Sequence, residues 1–173
     1  LTYNGPPSLE PRASVKVRDG LAAVAYRAGD QHGGGFPFFS GATSSHADFL
    51  LNPSIPLNLS IQEGASTSHF DLSQLKVTNL TLDTGASTTT VEMPASAGST
   101  TAQIRGGAST IDVNVPQGVA AQITYQGGLT TLNIDQTRFP ATGNRVYRSA
   151  DYDQAQNKLD LTLQAGVATI NVR

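Results

Sequence analysis

The sequence predicts an all-β protein: a single-stack parallel β-solenoid, right-handed because β-crossovers usually are, with about seven coils of about 21 residues. Three observations carry that expectation. A glycine followed by small residues recurs along the chain, apolar pairs flank each glycine at fixed offsets, and the composition disfavours long helices. Of 173 residues only 14% are charged and 6% aromatic, and Ser with Thr supply about one residue in five. Gly (17) and Pro (9) are frequent. Such a chain is poor in the Ala, Leu, Glu and Lys runs that favour helices.

The units follow in order. The first reads Val15/Val17, then Gly20-Leu21-Ala22, then Val24/Tyr26; the second reads Phe36/Phe38, Gly41-Ala42-Thr43, Ser45/Ala47. The third is Leu59/Ile61, Gly64-Ala65-Ser66, Ser68/Phe70, and the fourth Leu80/Leu82, Gly85-Ala86-Ser87, Thr89/Val91. The fifth is Ala102/Ile104, Gly107-Ala108-Ser109, Ile111/Val113, and the sixth Ile123/Tyr125, Gly128-Leu129-Thr130, Leu132/Ile134. The seventh, Leu161/Leu163, Gly166-Val167-Ala168, Ile170/Val172, follows a longer interval. Apolar and polar residues alternate on both sides of each glycine, so each unit reads as strand, corner, strand, turn. Glycine suits the corner because it accepts positive φ and lets coils approach closely. Asn52-Pro53, Met93-Pro94 and Pro116-Gln117-Gly118 mark further turns.

Units of this size cannot bury an apolar face alone. Stacked in register, about 4.8 Å apart, seven of them make a rod of roughly 30 Å with aliphatic ladders inside. A β-sandwich is the competing architecture. The whole of 1–173 is expected to form one domain, with 1–13 the remnant of an earlier coil and 136–156 a loop inserted between the last two coils.

Composition also excludes. A net charge of -2 offers no electrostatic footprint for nucleic acid. Without cysteine there are no disulfides, thiolate metal sites or Cys nucleophile. No apolar run approaches the ~20 residues that span a bilayer, and no signal peptide is visible. Leu1 in place of an initiator Met leads us to expect a mature or excised segment.

The run Leu50-Leu51-Asn52-Pro53-Ser54-Ile55-Pro56-Leu57-Asn58-Leu59, the Gly64-Ala65 corner and the stretch from Leu72 to Ser87 resemble the toastrack adhesin-like β-solenoid. That family includes the C-terminal domain of LiaF-like cell-envelope stress regulators and bacterial adhesin domains. The closing stretch, from Tyr152-Asp153 to Ile170-Asn171-Val172-Arg173, resembles the usual end of such domains. The resemblance implies a non-enzymatic scaffold or protein-interaction domain, adhesin-like or regulatory, at the extracytoplasmic face of a bacterial envelope. It further implies a membrane anchor outside this segment, a protein partner at the envelope, and no catalytic residue and no cofactor.

Several residues are weighed as sites. Stacking would bring His46 and Asp48 beside His69 and Asp71, types that can ligate a divalent cation; solvated residues on a sheet face are the plainer reading, and no metal is assigned. Asp48, Asp71, Glu92 and Asp135 form an acidic series that invites the alternative function, a carbohydrate-binding or carbohydrate-cleaving β-helix. Glycosidases need two carboxyls flanking a sugar cleft, yet there is no Trp for sugar stacking. Ser44, Thr67, Thr88, Thr110, Thr131 and Thr169 form a hydroxyl ladder, expected to pair across rungs. The insertion, with Arg138, Phe139, Arg145, Tyr147, Arg148 and Tyr152, is the expected interaction loop, because Arg and Tyr favour interface hot spots; its aromatics could equally fold back and plug the solenoid. Exposed strand edges make a homodimer through solenoid ends or edges a further expectation.

Overall fold

The computed structural model describes residues 2–5, 7, 10, 12–18, 21–27 and 46–173. Its contacts divide the chain into two units, Leu1–Leu51 and Asn52–Arg173. Among the described residues there is no α-helix.

In the first unit, strand β1 (Thr2–Asn4) pairs antiparallel with β4 (His46–Asp48), and β2 (Arg12–Arg18) pairs antiparallel with β3 (Leu21–Arg27). This corrects the expectation of a parallel first coil. The two strands flank Asp19-Gly20, a dipeptide strongly favoured in two-residue hairpin loops, and local hairpin closure wins over stacking. Val15, Val17 and Val24, expected inside, stand 62%, 72% and 51% exposed. The corners at Gly20 and Gly41, with Phe36, Phe38 and Ser44, lie outside the described residues.

The second unit is the stack. Five rungs bend at Gly64, Gly85, Gly107, Gly128 and Gly166 into a first arm before the glycine and a second arm after it. The rungs are β5 (Pro56–Glu63) with β6 (Ser66–Asp71), β7 (Lys76–Thr84) with β8 (Ser87–Glu92), and the continuous strands β9 (Ser99–Asn114), β10 (Val119–Ile134) and, last in the chain, β13 (Asn157–Val172). All pair parallel and in register, with one shift between Leu57 and Asn58. Inward positions of both arms supply the core, with Leu82, Ile104, Ile111, Ile123, Leu161, Leu163 and Ile170 essentially inaccessible. Each such side chain adds about 1.5–3 kcal/mol of burial.

Rung order departs from chain order. The strands run β5-β7-β9-β13-β10, so the seventh predicted coil lies between the fifth and sixth. Val167 stands between Ala108 and Leu129, and Leu163 between Ile104 and Tyr125. The inserted loop returns the chain to that slot and also supplies a short hairpin, β11 (Ala141–Gly143) with β12 (Val146–Arg148). β12 pairs antiparallel with Gln122–Thr124 and closes the first-arm edge of β10. The solenoid is therefore mixed, parallel rungs with antiparallel closures, rather than one consecutive winding.

The corner glycines serve close approach, not positive φ. Among described glycines only Gly98 and Gly118 have positive φ, and both lie in turns. A Cβ on Gly85 would stand 3.0 Å from the Gly64 carbonyl oxygen; on Gly107, 3.2 Å from that of Gly85; on Gly166, 3.2 Å from that of Gly107. Gly64, the first described rung, meets nothing within 4 Å. Each rung's corner is packed onto the carbonyl of the rung before it in space.

Candidate functional site

The second arm presents a regular outer face. Beginning at the corner and following spatial order, its columns are Ala65-Ala86-Ala108-Val167-Leu129, Thr67-Thr88-Thr110-Thr169-Thr131, His69-Thr90-Asp112-Asn171-Asn133 and Asp71-Glu92-Asn114-Arg173-Asp135. Strand spacing sets the rows about 4.8 Å apart. The first column ends in two exposed apolar side chains, Val167 and Leu129. In the third, the Asn171 amide donates to Asp112 at 2.7 Å and that of Asn133 to Asn171 at 2.8 Å. These cross-rung bonds hold polar side chains in fixed rows. Shallow depressions of about 440 and 450 Å³ interrupt the face, one around Asp135 and Arg173 and one around Thr110, Thr131 and Thr169.

The predicted metal residues divide between the two units, His46 and Asp48 in the first and His69 and Asp71 in the second. His46 contacts Asp48 of its own strand at 3.0 Å, and β4 pairs with β1, with His46 opposite Asn4. His69 stands opposite Thr90 in the other unit. Asp71 accepts from the Ser73 hydroxyl at 2.6 Å and the Ser73 amide at 3.0 Å; chiefly the hydroxyl bond holds its carboxyl below the usual 3.8. No group of three or more His, Asp or Glu able to hold a metal occurs among the described residues.

The acidic series is likewise broken up. Asn114 and Arg173 lie between Glu92 and Asp135, the Asn114 amide donates to Glu92, and Arg173 donates to Asn114 at 2.7 Å. Asp135 accepts from Thr137, whose hydroxyl is the main cause of a lowered carboxyl pKa. Asp71 and Glu92 stand opposite each other on adjacent rungs.

The insertion packs largely as a plug. Phe139 is fully buried and Arg138 stacks on it, 4.8 Å from the ring centre, while donating to the carbonyls of Val115 at 2.7 Å and Pro116 at 3.0 Å. Tyr147 packs half-buried against the core. Tyr152 lies beneath Arg148 (4.6 Å) and Lys158 (5.6 Å) and donates its hydroxyl to Asp160 at 2.5 Å. Burial first, then that bond, pushes the Tyr152 phenol up to about 12. Arg148 pairs with Asp153. Arg145 is the exposed member: it has φ 60°, its carbonyl accepts from the Tyr125 amide, and its guanidinium lies 3.4 Å from the Gly127 carbonyl oxygen.

Inside the corner is a polar lining whose acceptor, Glu63, the residue pattern did not single out. Glu63 accepts from Ser68 and, at 2.7 Å, from Thr89, which lies 3.1 Å from Ser87. Thr84, Ser87, Thr89 and Ser109 are all buried. The recurrent hydroxyl two residues after the glycine shares the parity of the inward positions, so its direction follows from the alternation; its hydrogen-bond partners do not.

A packed interior, parallel rungs in register and ordered outer ladders define a class by its fold: a β-solenoid. The chain belongs to the family described as the N-terminal domain of toast_rack, whose model matches residues 2–114. Among solved structures it is similar to that of a "putative cell adhesion protein" from Clostridium sporogenes, with a TM-score of 0.85 and 19% identity over 98% of this chain and 79% of that one. At that identity the likeness shows the fold. Among curated proteins none matches the chain.

Proposed function

We propose that this is a non-enzymatic, adhesin-like interaction domain facing outward at the cell envelope. The observation that carries the reading is the second-arm outer face: four columns of mostly uncharged side chains, held in register over five rungs, with carboxylates already engaged by neighbours. Such a face offers many weak, evenly spaced contacts to an extended partner and no converging acid and base. The family and the cell-adhesion description of the similar structure agree with it. A membrane anchor and a protein partner at the envelope fit the same reading.

The test couples the chain to beads and measures their retention under flow on bacterial cell walls and on immobilised envelope protein. Thr110→Glu with Thr169→Glu sets two adjacent charges in the hydroxyl column and should cut retention about tenfold, equivalent to roughly 1.4 kcal/mol, with an unchanged circular dichroism spectrum. Equal retention of variant and parent, or turnover of a polysaccharide by the chain, would refute the reading.

A further inference from the structure

The free edge of β10 is divided. Its first-arm half is closed by β12, but among the described residues no strand pairs with the outer side of Leu129–Ile134. The Asp135 amide bonds inward to the Val172 carbonyl at 3.0 Å. Strand alternation then turns the backbone N–H and C=O groups of Thr130, Leu132 and Ile134 off the edge. This stretch, Leu-Thr-Thr-Leu-Asn-Ile, holds no charge, proline or glycine, the devices by which proteins blunt open edges. Leu129 at its start is 81% exposed.

Charge selects the occupant. Arg145 lies exposed at the Gly127 carbonyl, at one end of the open stretch, and Asp135 marks the other. A second copy added antiparallel about a two-fold axis brings each Arg145 end to the partner's Asp135 end. A parallel copy would instead set like charge on like. We propose that Leu129–Ile134 is a homodimer edge, on which two copies pair antiparallel about Leu132 and join their sheets. In that register Thr130 faces Ile134 and Leu132 faces its twin, which uses every outward backbone group and covers the half-buried inner sides of Leu132 and Ile134. The pairing is independent of what the second-arm face binds.

Sedimentation velocity over about 1–500 μM should show a species of 18.1 kDa giving way to one of twice that mass. Hydrogen exchange at the Thr130, Leu132 and Ile134 amides should slow at the high end. Leu129→Lys, at an exposed position, should raise the dimer dissociation constant at least tenfold. Asp135→Asn retains an oxygen for Thr137; it and Arg145→Gln should each weaken the dimer severalfold, and together no more than either alone. A monomer at every concentration, a dimer indifferent to Leu129→Lys with unprotected edge amides, or additive losses at Asp135 and Arg145 would each overturn the proposal.

Discussion

The plug can be tested at its most buried point. Phe139 is inaccessible to solvent, its amide donates to the Asp135 carbonyl at 2.9 Å, and Arg138 lies across its ring. Phe139→Ala removes the ring from a site walled by the stack on one side and a guanidinium on the other, so collapse of the void is limited. Substitutions of this kind cost about 3–5 kcal/mol, a large part of the ~5–15 kcal/mol that holds an ordinary domain together. At roughly 2–4 °C per kcal/mol for a chain of this size, Tm should fall by about 6–20 °C. The measurement is thermal unfolding followed by far-ultraviolet circular dichroism at low micromolar concentration. Leu129→Ala serves as the control: its exposure predicts a loss within about 0.5 kcal/mol. A Phe139→Ala midpoint within about 2 °C of the parent would show that the insertion is not seated in the core.

The corner glycines predict a graded series in urea unfolding. Gly85→Ala, whose Cβ would stand 3.0 Å from the Gly64 carbonyl oxygen, should lose about 1–3 kcal/mol, whereas Gly64→Ala should be neutral or gain up to ~1 kcal/mol. Equal costs at the two positions would contradict the close-approach argument. Tyr152 sets an alkaline limit. Its folded pKa of about 12 exceeds the ordinary 10.0, so its contribution is complete below pH 10 and is lost as pH rises through 12; Tyr152→Phe should flatten stability across that window. Asp71 and Asp135 act oppositely. Their folded values lie below 3.8, so their contribution is present above that pH and disappears as acid reaches the folded values. Asp71→Asn should reduce the acid sensitivity measured by circular dichroism.

Much of the stack was legible because a period-two pattern anchored to glycine determines which side chains face inward. Leu80, Leu82, Ala102, Ile104, Leu161 and Leu163 are all buried as that pattern requires. Two things were not legible. Rung order depends on which neighbour a strand finds in space, and Gly107 and Gly128 can accept the same flanks whether or not Gly166 stands between them. The pattern around Gly20 resembled a coil because a hairpin strand alternates with the same period. At the candidate sites, spacing placed His46, Asp48, His69 and Asp71 correctly on strands but could not tell that β4 pairs antiparallel with β1. Phe139 and Tyr152 were recognisable as unusual aromatics in an insertion; only packing shows that one fills the core and the other stacks beneath two cations.

The non-consecutive rung order has a bearing on assembly. As synthesis proceeds, residues 119–134 emerge before the strand that separates them from β9, so apart from the short β12 on Gln122–Thr124 they have no stacked neighbour until residues 157–172 arrive. Strand β13 therefore acts as a keystone: removing it deletes a middle layer and strands the one beyond. Where ordinary repeat arrays fray and shorten from their tips, this stack should lose its last two layers together, in a single step.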